Sequence, residues 1–358
     1  MNFIRIMHNY IKKLNHTNYC SQYTNLVFSS VEVSTIRIKE SLEKVTHDQV
    51  LNREDLINLL ELEYHSQDAQ LLIEKAREIA QNKCLNRGKV WGAIGLDYMT
   101  CAMNCNYCSL AKAWNNDPNV AVLSDQEILN FVDVYNQMGI DWLFIRTSEF
   151  YQFDRLIEQL KMIRERLSSR IMLGVNTGDA NSSKTEQLKA AGVEMVYHAI
   201  RLREGVDTNF AIGRRRQTQK TIKTSGLLLS QYLEPIGPEH SSEEIADRMI
   251  DIIDMGTDLT GIMPRIPVEN TPKYEYGQIS EEKLAIITAV FRIYGQEQIK
   301  DLIIHPASEL AMQAGANSLV VDVGAIPRSR GMEYNAWNGQ DVNKATSLLK
   351  KYQYKIGA

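Results

Sequence analysis

From Lys89 onward the chain repeats one phrase. An apolar run of strand length is followed by a polar loop, a helix-start signal, an amphipathic stretch ending in Gly, and then another apolar run. The apolar runs are Val90–Leu96, Trp142–Thr147, Ile171–Asn176, Met195–Ile200, Leu227–Pro235, Leu259–Arg265, Leu302–His305 and Ser318–Val323. Each is almost continuously hydrophobic, which suits a strand covered on both faces. Capping boxes are expected to open helices at Ser124 with Glu127, Ser183 with Glu186 and Ser241 with Glu244. The amphipathic stretches end at Gly139, Gly192, Gly226, Gly256 and Gly315, and Gly enters the left-handed conformation past a helix at little cost. The expected class is α/β, a parallel sheet wrapped in helices. Eight units point to a closed (β/α)8 TIM-type barrel, although the rhythm alone also suits an open doubly wound sheet. A last helix near Asp341–Lys351 should close the far end.

Before this rhythm the periodicity is helical. Residues 36–83 read as helices, with Ala69, Leu72, Ile73, Ala76 and Ile79 sharing one face. The expected organisation is a segment 1–35, a helical extension over 36–88 and the barrel with its C-terminal helix over 89–358. The first 31 residues contain no Asp or Glu and carry Arg5, Lys12 and Lys13. Such a start suits a disordered tail or an upstream start codon better than an organelle-targeting peptide.

Composition narrows the classes. A chain of 358 residues, 44% hydrophobic, can build one large core or one domain plus an extension. A net charge of −4 leaves no nucleic-acid footprint. No apolar run approaches the ~20 residues that span a bilayer. Neither nucleic acid nor membrane is therefore expected as a partner. Five cysteines are too few for a disulfide framework in so long a chain, so a reducing cytoplasm is the expected location. Cys84, at the end of a helix, reads as a buried thiol.

The candidate chemistry sits in Cys101-Ala-Met-Asn-Cys105-Asn-Tyr-Cys108, after which no cysteine follows. Thiolates carried on one tight loop can converge on a metal centre. A structural zinc wants four closed ligands, so zinc would have to borrow a distant His. An electron-transfer cluster wants a fourth Cys. Three thiolates on an iron–sulfur cube leave one corner open. The spacing CxxxCxxC is that of the radical S-adenosylmethionine (SAM) enzymes, and the chain resembles them over roughly residues 45–350. It is most similar to the biotin synthase, methylornithine synthase and hydrogenase-maturase group, whose Pro-x-x-x-Thr-Pro stretch it carries at Pro267–Pro272.

The resemblance implies a [4Fe–4S] cluster on Cys101, Cys105 and Cys108 that chelates SAM and cleaves it reductively to a 5′-deoxyadenosyl radical. It also implies a flavodoxin- or ferredoxin-type electron donor, and hydrogen abstraction from an unactivated carbon of a small polar metabolite. Biotin synthase carries further cysteines on its barrel strands for a sulfur-donating second cluster. This chain has none there, so rearrangement or cleavage on one cluster is expected. Sulfur insertion, and a non-catalytic cluster scaffold, are the alternatives.

In a barrel the cysteine loop follows the first strand and lies at the C-terminal mouth, where active sites of this fold gather. Polar residues at the other strand ends then become candidates by position. The resemblance implies that Tyr107 lies over adenine and that Ser148 and Glu149 face the SAM ammonium. Asn176 stands where relatives carry a polar residue near the SAM carboxylate or the substrate. Glu204 is the ribose candidate, and Arg201 or Arg203 the carboxylate clamp, since a guanidinium fork matches that shape. Ile236 and Gly237 are the close-approach positions beside adenine. Arg214-Arg215-Arg216 reads as a solvated helix start. Glu234, Arg265, His305 and Asp322, with Arg328, are expected to hold a charged substrate, because charges in a mouth need partners. A turn at Gly237-Pro-Glu-His240, and salt bridges around the rim, would explain the same residues without any ligand.

Overall fold

The computed structural model describes residues 36–114, 121–325, 332–333 and 341–357. Eight parallel strands close on themselves. They are β1 Arg87–Gly95, β2 Trp142–Arg146, β3 Met172–Asn176, β4 Met195–Tyr197, β5 Leu228–Ile236, β6 Leu259–Pro264, β7 Leu302–Ile304 and β8 Ser318–Ala325. They pair in sequence order, and β8 pairs back to β1 from Lys89↔Ser318 to Gly95↔Gly324. The sheet is thus a (β/α)8 barrel, and the open-sheet alternative is excluded. All eight expected runs are strands. The fourth is shorter than expected: past Tyr197 the chain keeps His198 N–H to Ser230 O (2.8 Å) and then leaves the ladder as a buried loop.

The helices are α1 over 36–46, α2 Arg53–Leu60, α3 Gln67–Asn82, α4 Asp125–Met138, α5 Phe153–Arg166, α6 Ser182–Ala190, α7 Ile212–Ser225, α8 Ser242–Asp254, α9 Glu281–Gly295, α10 Glu309–Gln313 and α11 Val342–Lys351. Two expected capping boxes form, at Ser124 and Ser241. The third does not. Asn181 caps α6 instead, accepting from Lys184 N–H, so Ser183 already lies inside the first turn. Asn is at least as good a cap as Ser, so the earlier residue wins. All five expected glycines have positive φ, between 65° and 98°.

The strand periodicity of two sorts the side chains. Outward residues join one large core with the helices, including Leu56 on α2, Leu72 on α3 and Phe291 on α9. The helices before the barrel therefore pack into the same core as its outer ring. Inward residues form a second core with Trp91 stacked on Trp142 and Tyr197 edge-on to Tyr232. Above this aromatic layer the inward positions turn polar. At the opposite end, a Cβ on Gly88 would meet Ile356 at 2.8 Å and Leu349 at 3.2 Å, so α11 and the chain after it seal the base. Among the described residues no helix is long and apolar enough to cross a membrane.

Candidate active site

The cysteine loop leaves β1 through Asp97–Tyr98, which pairs antiparallel with Ala121–Val122. It then folds on itself. Cys101 N–H donates to Leu110 O (2.7 Å), and Lys112 N–H donates back to Cys101 O (2.9 Å). Asn104 takes the left-handed conformation (φ 45°), and its side chain accepts from Ala113 N–H. The Trp114 indole N–H caps Cys105 O at 3.0 Å. This folding turns Cys101, Cys105, Cys108 and Tyr107 toward one cavity of about 240 Å³ over the aromatic layer, a size for small molecules rather than a polymer.

The thiols suit a cationic centre. Burial and repulsion from the neighbouring thiols push Cys101 up to about 11 and Cys105 up to about 12. Three thiolates crowded in a dry pocket need positive charge, and a metal centre supplies it. The donor set is all sulfur, which suits zinc or an iron–sulfur cluster better than a hard cation.

Two charged groups divide the cavity wall. The first lies beside the cysteines. Arg215 on α7 is 3% exposed and donates its Nε to Ala199 O at 2.9 Å. Its Nη1 stands 3.8 Å from Glu149 and 3.7 Å from Asp179, and the guanidinium lies 4.2 Å over the Phe210 ring. Arg201 reaches Glu234 at 3.3 Å. Nη1 of Arg201 and of Arg215 are both buried without a hydrogen-bond partner among the described residues. Burial raises the Glu149 pKa against the pull of Arg215 and Arg201. His198, whose Nε2 lies 3.3 Å from the Asp179 carboxylate, lowers that of Asp179. Burial also pushes His198 down to about 4, so this ring is neutral at pH 7. Asp97, buried at the end of β1, accepts from Ser148 N–H at 2.7 Å and so fixes the Ser148-Glu149 turn.

The second group lies on β2 and β8, the two strands that flank β1, and just past the end of β7. Asp322 is 2% exposed and sits between Arg146 (2.8 Å) and His305 (2.7 Å).

No family model matches the sequence, and no curated protein does. Solved structures do match. The chain shares its fold with methylornithine synthase (PylB). The TM-score is 0.74 at 17% identity, covering 89% of this chain and 97% of that one. The FeFe-hydrogenase maturase HydG from Carboxydothermus hydrogenoformans gives 0.74 at 14% identity, covering 96% and 85%. A further HydG structure gives 0.73 at 15% identity, covering 99% and 80%. These are the relatives that the sequence motifs resemble, so that expectation is met at the level of the fold.

Of the residues singled out from the sequence, the three cysteines, Tyr107, Ser148, Glu149, Asn176, Arg201, Glu234, Arg265, His305 and Asp322 line the cavity. Four do not. Arg203 turns outward at φ 54° and forks onto Glu244 at 2.6 and 2.9 Å. Glu204 stands behind the arginines, accepting from Arg201 N–H and the Thr208 hydroxyl. Ile236 is fully buried in the outer core. Gly237 gives its space to a side chain, since a Cβ there would lie 2.2 Å from Arg265 Nη1. Arg328 lies outside the described residues. Arg265 reaches the cavity wall, yet its guanidinium is forked onto Glu239.

The sequence pattern assigns no role to Arg146, Asp179 and Asp97, and the solvated helix start expected at Arg214–Arg216 does not hold for Arg215, which is buried. Arg146 carried a usable signal, since it follows Trp142 and Phe144 at period two on the inward face of β2. Arg215 was hidden inside a run of three arginines, of which Arg214 is exposed.

Proposed function

We propose that this protein is a radical SAM enzyme that takes a hydrogen atom from a small polar metabolite. The observation that carries the reading is the convergence on one cavity of three loop thiols and two arginines that each keep a buried Nη1 without a hydrogen bond among the described residues. Cys101, Cys105 and Cys108 would hold a [4Fe–4S] cluster. Among the described residues no fourth cysteine is at hand, because Cys84 is buried against Arg292 and no cysteine follows Cys108; Cys20 lies outside the described residues. When bound, cluster and SAM together supply abstraction of hydrogen from an unactivated carbon.

The chain's own part is binding, orientation and exclusion of water. Arg201 and Arg215 would take the carboxylate of SAM, and Glu149 its ammonium. Tyr107 offers the stacking face. Arg215 enters this set on its geometry, and Arg203 and Glu204 leave it for theirs. Asp322, His305, Arg146 and Glu234 would hold the polar groups of the substrate. The layer of Trp91, Phe144, Tyr197 and Tyr232 keeps the floor dry. With a single cysteine set, rearrangement or cleavage is favoured over sulfur insertion. A flavodoxin- or ferredoxin-type protein would deliver the electron.

Anaerobic reconstitution followed by SAM and dithionite tests this. Wild type should release 5′-deoxyadenosine and Cys105→Ala should not. No product from an iron-loaded wild type, or undiminished product from the variant, would refute the reading.

A further inference from the structure

The cysteine loop is pinned from outside at several points, and the pins lead to a buried chain of alternating charges. Asn106, between Cys105 and Tyr107, donates its backbone N–H to Asp207 O (2.8 Å) and its side-chain amide to Asp207 Oδ1 (2.9 Å). Its carbonyl accepts from Lys273 N–H at 3.0 Å. Asn209 N–H donates to Met103 O and its side chain to Ala102 O, between the first two cysteines. Asp207 Oδ2 meets Lys273 Nζ at 3.0 Å, and Lys273 Nζ stands 3.3 Å from Glu239, which Arg265 forks. Asp207, Lys273 and Arg265 are each less than a tenth exposed. The ligand atoms of Asp207, Glu239 and His240 come together as a metal site's would. Lys273 and Arg265 already neutralise those carboxylates, however, so the cluster reads as an ion-pair chain.

We infer that Asp207 and Lys273 are positioning residues that hold the cysteine loop in its ligand-ready shape before any metal arrives. The inference rests on the reading of that loop as the cluster site. The thiols repel one another once ionised, and a short loop of polar backbone would otherwise spread. Asp207 grips it by backbone and side chain at once. Lys273 fixes the Asp207 carboxylate while its own backbone holds the far side of Asn106. The grip joins the loops after β4, β5 and β6 to the loop after β1. Partners that orient metal ligands in this way typically change metal affinity about 10- to 100-fold.

The test reads iron, not turnover. Wild type, Lys273→Met, Lys273→Arg, Asp207→Asn and the double variant Asp207→Asn/Lys273→Met are reconstituted anaerobically, and iron loss to a chelator is timed. Melting temperature is recorded for each. Lys273→Met leaves Asp207 charged and unpaired, and should lose iron about tenfold faster. The double variant removes both charges while the introduced amide can still accept from Asn106, and should regain most of the wild-type half-life. Lys273→Arg keeps the charge and should resemble wild type. The EPR spectrum of the reduced cluster should be altered in Lys273→Met and restored in the double variant. Equal iron retention in Lys273→Met and wild type, or a double variant as leaky as Lys273→Met, would overturn the inference while leaving the cluster reading intact. A wild type that takes up no iron would overturn both. A Lys273→Met chain that fails to fold leaves the double variant and Lys273→Arg to decide in the same way.

Discussion

The two ends of the barrel each bury arginine, and they treat it differently. At the closed end Arg292 on α9 is fully buried and every branch of its guanidinium is used. Nε donates to Gly315 O at 2.9 Å, Nη1 to Ile299 O and Cys84 Sγ, and Nη2 to Asn317 Oδ1 at 2.9 Å. Asn317 passes the connection to Leu302 N–H and to Arg87 O. At the open end Arg215 is also buried and Arg201 is partly buried, yet each keeps a buried Nη1 with no hydrogen bond among the described residues. A buried donor left idle costs free energy that a fold ordinarily avoids. The contrast sorts them: the satisfied arginine holds the fold, and on the proposed reading the other pair would take an anion.

The sharpest way to break this comparison is to remove the satisfied arginine. Arg292→Met strands the carbonyls of Gly315 and Ile299, and should cost about 4 kcal/mol in chemical denaturation. A loss near zero would end the argument that its bonds hold the base. Arg215→Met should behave in the opposite sense. Its stability cost should stay near about 1–2 kcal/mol, because burial already favours the neutral form of Glu149, which can take up a proton to offset the imbalance. SAM binding by calorimetry should weaken about 10- to 100-fold, the worth of a charged hydrogen bond. Arg203→Met sharpens the comparison from outside. That side chain forms a part-exposed pair with Glu244, so about 1 kcal/mol or less should be lost and SAM affinity should move less than about twofold. A tenfold loss of affinity there would return Arg203 to the cofactor's clamp.

The closed end and the strand frame were easier to read than the mouth. Strand runs, helix phase and the glycines at helix ends are local signals, and they placed all eight strands and the cysteine loop. Mouth residues depend on which way a side chain points, and that is set by tertiary contacts. Arg215 shows the difficulty. Helix α7 buries few apolar residues, so its sequence hardly reveals which of three successive arginines faces inward. About 100° separates neighbours on a helix, and only one of the three could point into the barrel. At the end of β5 a register shift between Leu233 and Ile236 breaks the alternation, so Ile236 and Gly237 could not be phased from the strand before them. Glu204 does stand beside the arginines, as its place after the fourth strand suggested, but its acceptors are already taken by Arg201 N–H and Thr208.

The most direct measurement combines metal analysis with spectroscopy on one anaerobic sample. The account predicts about four irons and four sulfides per chain, no stoichiometric zinc, and an EPR spectrum of the reduced protein that changes when SAM is added. One zinc per chain, or an iron spectrum that SAM leaves unmoved, would contradict it.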